Sequence, residues 1–499
     1  MSAVEGLLHG FAVALSARNL AAALFGVTIG TIVGVLPGIG SVATMALLFP
    51  FTFTLDTSAA MIMLAGIYYG AMYGGSTTSI LVSVPGEAAS MVTVFDGYQM
   101  ARKGRAGAAL AIAAIGSYVA GTLGVIGLTF FAPALASAAL AFGPAEYFSV
   151  CLLGLALLTR LTGGAASHSV MMALFGIALG TVGPDLMSGV DRFTFGKLAL
   201  RGGIALPALV IGLFGFAEML SIVGQQSRGV TSVPVGFRGL YPSFAELRRS
   251  LGPILRGSVL GFGIGLIPGP APLLSSLASY TTERRLSRWP EEFGRGAIEG
   301  VAGPEAANNA ATSGALVPLL ALGLPFAPAT AMLLGGFVVH GVTPGPLLMS
   351  QHPDVFWGLV ASMYIGNAML LVLNLPLVPL FASITRTPMV ILVPLVVTIS
   401  VVGTYSVNNR LFDVAVMLAA GVLGYGLRQV GLPLAPLVVG FVLGPLLEVY
   451  FRQTLLLYQR ELWVVFTRPL TVALLMATLL IVLVPALGRL RGAVSRRVG

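Results

Sequence analysis

Two stretches of this 499-residue chain set chemically capable side chains beside residues that interrupt helices. Between Ile67 and Asp96 it reads IYYGAMYGGSTTSILVSVPGEAASMVTVFD, where Gly74-Gly75 precede Ser76, Thr77, Thr78 and Ser79. A helix broken at the glycines and restarted at the hydroxyls presents free N–H groups and a positive dipole end, which suits an anionic ligand. The adjacent hydroxyls would donate to carboxylate oxygens. The competing reading has these small side chains bonding back to their own helix. Between Glu299 and Pro318 the chain reads EGVAGPEAANNAATSGALVP, with a second break expected at Gly303-Pro304. Glu305 shares a helix face with Asn308 and Asn309 by i,i+3 and i,i+4 spacing. Their oxygens are hard ligands for Na⁺, or a place for proton coupling; alternatively the amides join helices. An unpaired buried carboxylate is costly, so Glu305 is the main ion-coupling candidate. Glu299 reads either as a second or as a helix-start anion at the cytoplasmic mouth. Glu87, after Pro85-Gly86, is a third candidate, and Asp96 reads as a loop partner of Arg102.

Other chemistries find no residues. His9, His168, His340 and His352 are scattered, and Cys151 is the single cysteine, so multi-Cys metal sites and intrachain disulfides are excluded. Gly38-x-Gly40-x-x-Ala43 mimics a dinucleotide fingerprint but lies in a hydrophobic segment with no preceding soluble strand. There is no P-loop, no nucleophile–base set and no catalytic carboxylate pair. The reading is a non-enzyme without a cofactor, whose pumping would draw on Na⁺, H⁺ or another subunit.

The elements that must position these residues are membrane helices. The chain is 57% apolar and 9% charged, against about 25% charged in a soluble domain. Runs such as Ala106–Phe131, Ala205–Gly224 and Leu470–Leu487 are long enough to cross a hydrocarbon core as helices. The expected fold is all-α, a polytopic bundle of roughly 10–14 helices with re-entrant hairpins and broken helices. The N-terminus lacks a basic region and a small-residue cleavage site, so no cleaved signal peptide is expected.

Of 27 Lys and Arg residues, most fall in four stretches: Arg102–Arg105, Arg228–Arg256, Arg284–Arg295 and Arg489–Arg497. By the positive-inside bias these are cytoplasmic, whereas Phe51–Ala60 and Gly341–Phe356, without Lys or Arg, are external. Gly257–Thr282 then has both ends inside, yet two crossings need about 40 residues. It must turn back part-way, with its tip at Pro268-Gly269-Pro270.

Gly26, Gly30, Gly34 and Pro37-Gly38 recur as Gly257, Gly261, Gly265 and Pro268-Gly269, all shifted by 231 (257 minus 26). Gly66 and Gly70 match Gly296 and Gly300, and Pro85 matches Pro325 after an insertion. Residues 1–125 and 248–385 therefore read as two repeats, inverted because the basic loops swap sides. Residues 126–247 connect them, and residues 386–499 form a C-terminal scaffold. Paired discontinuous segments in inverted halves point to a site at their interface, which makes Pro37, Gly38, Gly75, Pro268 and Gly269 candidate substrate-binding residues. Arg18 is the one base this scheme places outside.

At these residues the chain resembles the large membrane subunit of the tripartite tricarboxylate transporters, the TctA family. The resemblance is carried by GVLPGIGS (34–41), LAGIYYGAMYGGSTTSILVSVPGE (64–87), DGYQMARKGRAG (96–107), FGRGAIEGVAGPEAANNAATSGALVPLLALGLP (293–325) and HGVTPGP (340–346). It implies a secondary transporter of the bacterial inner membrane, driven by Na⁺ or H⁺. The implied partners are a small four-helix membrane subunit and a periplasmic solute-binding protein, and the implied substrates are citrate and other carboxylates. One departure is Phe326-Ala327-Pro328, where Gly-Ser is common, next to an expected hairpin tip. A membrane enzyme lacks a catalytic constellation here, and a passive channel does not need two halves that rock against each other.

Overall fold

The computed structural model describes residues 2–36, 40–162, 165–224, 241–377, 380, 389–459 and 461–498, and for 224, 389, 392, 462, 464 and 484–498 the backbone alone. The chain is an all-α polytopic membrane protein. Its principal helices are α1 (Ala3–Ala14), α2 (Ala17–Val35), α3 (Gly40–Leu48), α4 (Thr57–Val82), α5 (Ala106–Ala139), α6 (Pro144–Leu161) and α7 (Ala166–Gly180). Then follow α8 (Leu206–Val223), α9 (Phe244–Gly265), α10 (Ala271–Leu286), α11 (Glu299–Leu322), α12 (Pro328–Val339) and α13 (Pro353–Asn374). The last four are α14 (Met389–Asn408), α15 (Leu411–Gln429), α16 (Leu434–Leu457) and α17 (Pro469–Val498). Among the described residues, strand pairing is confined to β1 (Gly183–Pro184) and β2 (Asp191–Arg192).

Two helices form the axis, α4 and α11. Every residue of α11 and every residue of α4 from Ala59 onward is buried. Neither is lipid-facing, so both tolerate the small and polar residues that a lipid-exposed span would not. Among the described residues, seven other helices are long and apolar enough to cross a membrane: α2, α5 with its N-terminal extension, α6, α8, α13, α15 and α16.

Each axial helix is gripped by a helical hairpin whose first arm carries a row of glycines. A Cβ added at Gly26, Gly30 or Gly34 of α2 would lie 2.4, 2.6 and 2.4 Å from the carbonyl oxygens of Met63, Ile67 and Ala71 of α4. A Cβ at Gly257, Gly261 or Gly265 of α9 would lie 2.4, 2.2 and 2.6 Å from those of Gly303, Ala307 and Ala311 of α11. The glycines therefore let backbone meet backbone, as small residues do at membrane helix interfaces. The gripped residues are offset by 240 (303 minus 63) rather than 231, so the insertion falls between hairpin and axial helix. The matching of Gly66 and Gly70 with Gly296 and Gly300 is thereby corrected. Gly74, packed on Thr31 and Gly34, corresponds instead to Gly314, packed on Phe262 and Gly265.

The second hairpin turns at Leu266–Pro270, where Gly269 has a φ of 145° that a side chain would resist. Neither of its arms is among the long apolar spans. The first tip, at Pro37-Gly38, lies outside the described residues.

The two expected helix breaks are displaced. α4 runs unbroken through Gly74-Gly75, because those glycines serve close approach: a Cβ at Gly74 would meet the Thr31 carbonyl oxygen at 2.2 Å. α11 runs unbroken through Gly303-Pro304, where the proline forfeits one intrahelical bond without ending the helix. Both axial helices stop later, on a left-handed residue: Ser83 (φ 59°, ψ 23°) and Gly323 (φ 72°, ψ 18°). Each stop stands two residues before a proline, Pro85 and Pro325, which cannot continue a helix.

The remaining helices buttress this core. α5 packs along α11, α13 covers α4 and α5, and α6, α7, α16 and α17 form an outer group. Two of the isolated acids tie helices together, Glu146 to Arg468 and Thr471 and Glu218 to Arg428, while Glu448 pairs with Arg452 of its own helix and with Arg192 of β2. Arg18 pairs with Asp56 at 3.0 Å and donates to the Thr54 carbonyl at 3.1 Å, so it belongs to the turn between α3 and α4. In the loop after α7, Asp185 accepts the N–H groups of Met187 and Ser188 and pairs with Arg192 and Arg452. The Ser188 N–H above all holds its carboxyl down to about 2.

Two outcomes follow. Gly261→Ala should destabilise the protein by about 1–3 kcal/mol through overpacking, whereas Gly263→Ala, with nothing near its added Cβ, should be neutral or slightly stabilising; thermal unfolding in detergent compares them. Because Asp185 has a lowered folded pKa, its contribution is present above the unfolded value of about 3.9 and is lost as pH falls toward 2. Wild type should therefore lose more stability than Asp185→Asn between pH 4 and pH 2, and parallel curves would contradict the assignment.

Candidate functional site

Glu305 lies in the second turn of α11, where its side chain is fully buried. Its carboxylate accepts from the Ser76 hydroxyl of α4 at 2.5 Å, from the Thr93 hydroxyl, and from the Asn308 amide at 3.1 Å. Among the described residues no cation pairs with it, so every group that satisfies it is neutral. Asn309 donates to the Ser117 hydroxyl of α5 at 2.8 Å, to Asn308 Oδ1 at 2.6 Å, and to the Glu305 backbone carbonyl at 3.0 Å. The i,i+3 and i,i+4 spacing thus becomes one polar cluster joining α4, α5, α11 and the turn around Thr93. A cation there would meet the Glu305 carboxylate, the Ser76 and Thr93 hydroxyls and Asn308 Oδ1, an all-oxygen set of the kind hard cations take.

The hydroxyl run does not act as one donor group. An unbroken helix sends successive side chains about 100° apart, and the four go to different places. Ser76 reaches Glu305, Thr77 lines a cavity, Thr78 donates to the Val35 carbonyl at 2.8 Å, and Ser79 donates to Ser90 at 3.0 Å. The expected free N–H groups at Gly75 are absent because α4 is continuous there. Gly75 is needed small, since a Cβ would lie 3.1 Å from the Glu87 nitrogen and from the Ser90 hydroxyl.

Free helix N-termini occur nearby, and each already holds a carboxylate of the protein. Glu87 accepts the Ser41 N–H at the start of α3. Asp96 is fully buried and accepts the N–H groups of Gly296 and Ala297, at 2.7 and 2.8 Å, just ahead of α11. Tyr280 of α10 donates to the same Asp96 carboxylate at 2.9 Å. Asp96 is therefore an anchor of α11 and not a solvated partner of Arg102. Glu299 sits at the first residue of α11 and receives Arg249 through two bonds of 2.8 Å. Pro268 and Gly269 lie apart from this cluster, with Gly269 against Leu161 of α6. Phe326 packs against Gly154 of α6 in an apolar cluster, away from Glu305.

Two cavities adjoin the polar cluster and share Tyr73. Each is small, about 10 Å³, room for one water; one is lined by Ser76, Thr77, Ser117 and Asn374 among others, the second by Tyr69, Asn309, Thr312, Ser313 and Asn367. Tyr73 donates to Asn367 Oδ1 at 2.5 Å, and the Asn367 amide donates to the Tyr118 carbonyl and Thr122 hydroxyl of α5. The Tyr69 hydroxyl and Asn374 Oδ1 are buried yet have no hydrogen-bond partner among the described residues, an arrangement that calls for a ligand or water. Sequence reading missed Tyr69, Tyr73, Thr93, Ser117, Asn367 and Asn374. Asn367 and Asn374 carried a usable signal, as two amides one heptad apart in the predominantly apolar helix Pro353–Asn374.

Comparison with known proteins places the chain in a family. The profile of the tripartite tricarboxylate transporter TctA family matches residues 20–439, close to the span of 5–430 over which the resemblance is legible by eye. An uncharacterized 52.8 kDa protein in the TAR-I ttuC' 3'region of Agrobacterium vitis is 46% identical over 490 residues, covering 98% of this chain and 97% of that protein. A second uncharacterized protein, in the TAR-II ttuC' 3'region of the same organism, is 45% identical over 228 residues, covering 46% of this chain and 94% of its own length. No solved structure matches. With the family profile spanning most of its length and a full-length relative of high identity, the chain belongs to the tripartite tricarboxylate transporter TctA family.

Proposed function

We propose that this chain is the large transmembrane subunit of a binding-protein-dependent secondary transporter of the bacterial inner membrane. In this reading it imports di- or tricarboxylates together with Na⁺ or H⁺, alongside a small four-helix membrane subunit and a periplasmic solute-binding protein. Membership of a transporter family, and not an enzyme family, sets the class.

One observation supports the coupling role above all. Glu305 is a fully buried carboxylate held only by hydroxyl and amide donors. Leaving a charge in that state is costly unless a proton or a cation joins it. Binding H⁺ or Na⁺ at Glu305 neutralises it, and the two unpartnered oxygens of Tyr69 and Asn374 face the adjoining cavities. A substrate carboxylate there would find Tyr, Ser, Thr and Asn donors but no arginine, so its charge is balanced by the co-transported cation. Glu87, tied to the start of α3, is the second acid that loading could release. Glu299 is committed to Arg249 and belongs to the frame of the mouth.

Uptake of labelled citrate and other carboxylates into proteoliposomes carrying both membrane subunits and the binding protein, with and without Na⁺ and pH gradients, tests the reading. Accumulation should require one gradient; no uptake of any carboxylate would sink it. Glu305→Gln should lower gradient-driven accumulation by about 100-fold, as loss of a buried charge site worth a few kcal/mol implies. Retained gradient dependence in that variant would place coupling elsewhere. Tyr69→Phe removes a hydroxyl with no partner among the described residues, so melting should be unchanged while KM rises about tenfold, the worth of one hydrogen bond.

A further inference from the structure

The outer face of α9 carries a second pattern that the transport site does not use. Phe244, Arg248, Leu251, Leu255 and Val259 are spaced by three or four residues and share one side of the helix. Leu251, Leu255 and Val259 are 52%, 53% and 75% exposed, while the opposite side is the glycine row packed on α11. Arg248 thus heads an exposed apolar stripe at its cytoplasmic end, where the positive-inside bias puts this basic segment.

Beside it lies an open cleft of about 660 Å³ between α9, α10 and the 287–299 segment. Its charged lining is Arg248, Arg249, Arg256 and Arg288 against Glu283 and Glu299. Arg249 is committed to Glu299 and Glu292 and stacks over Trp289 at 4.2 Å, and Arg256 is committed to Glu283. Arg248 and Arg288 have no carboxylate within ion-pair distance among the described residues. The cleft therefore keeps two uncommitted guanidinium groups, with exposed Leu286 and Trp289 at its rim.

We propose that this cleft is a headgroup site for an anionic phospholipid of the cytoplasmic leaflet. The phosphodiester lies between Arg248 and Arg288, with fixed guanidinium geometry suited to two phosphate oxygens. One acyl chain runs along Leu251, Leu255 and Val259. A free anion would use the two arginines but not the stripe, and a neutral lipid would use the stripe but not the arginines; an anionic lipid uses both. Basic pockets between helices on the cytoplasmic side are where such headgroups bind.

The test is thermal unfolding of the full-length protein in detergent, titrated with phosphatidylglycerol, phosphatidylcholine or sn-glycerol 3-phosphate. Phosphatidylglycerol alone should stabilise the wild type. Arg248→Ala/Arg288→Ala should need about thirtyfold more of it, from two lost headgroup charges, with its lipid-free melting unchanged because neither arginine is in an ion pair. The Lys pair should recover most of the response, and Leu255→Asn, at an exposed position, should weaken it without touching the charges. Equal stabilisation by glycerol 3-phosphate makes the site one for free anions, and equal stabilisation by phosphatidylcholine makes it merely apolar. No lipid response in wild type means that the cleft holds no lipid headgroup. Each of these, or an undiminished response in the Ala pair, overturns the proposal.

Discussion

Backbone-to-backbone contact along two rows of glycines is the constraint on which the rest of this molecule depends. Gly26, Gly30 and Gly34 seat α2 on α4, and Gly257, Gly261 and Gly265 seat α9 on α11, at separations that leave no room for a methyl group. In lipid there is little hydrophobic force between helices, so close packing and polar contacts must hold them together. The glycine rows supply that packing, and they release the gripped helices from any duty toward lipid. α4 and α11 can then carry the hydroxyls, amides and carboxylate that lipid-facing spans exclude, and Ser76 of one reaches Glu305 of the other.

The acids of the core are sorted by what satisfies them. Asp96 and Glu87 take backbone N–H groups at helix starts, where the dipole favours a fixed negative charge. Glu299 and Glu283 take arginines at the open end of the second hairpin. Glu305 alone among these takes only neutral side chains. The first two kinds of environment hold an anion permanently, whereas the third leaves room for a proton or a cation to come and go. In the proposed reading, carboxylate cargo meets no arginine among the described residues lining the cavities, so such a group would let compensating positive charge travel with it.

Much of the site was legible because its motifs are local. Glu305, Asn308 and Asn309 share a face by spacing alone, and the hydroxyl run Ser76–Ser79 stands out after paired glycines. The helix breaks were misplaced for a physical reason: paired glycines and a Gly-Pro step are equally the signature of close packing, and only the neighbouring helix decides which. Gly74 is occupied by Thr31 of α2, a partner 43 residues away, so the local signal for a break was a tertiary signal for contact. Asp96 was misjudged likewise, since the N–H groups that hold it lie about 200 residues on.

By itself the sequence determined the solvent, the helical class, the double use of a glycine-lined hairpin and the acid on which coupling is proposed to rest. Composition and short periodicities carry those properties, and both are summed along the chain. Only the tertiary structure decided which hydroxyl of Ser76–Ser79 meets Glu305, that Asp96 and Glu87 fill helix starts, and that Tyr69, Tyr73, Asn367 and Asn374 line the cavities. Those pairings join residues far apart in sequence, and they exist because two rows of glycines bring the backbones together. No local pattern encodes which face of one helix another helix will cover.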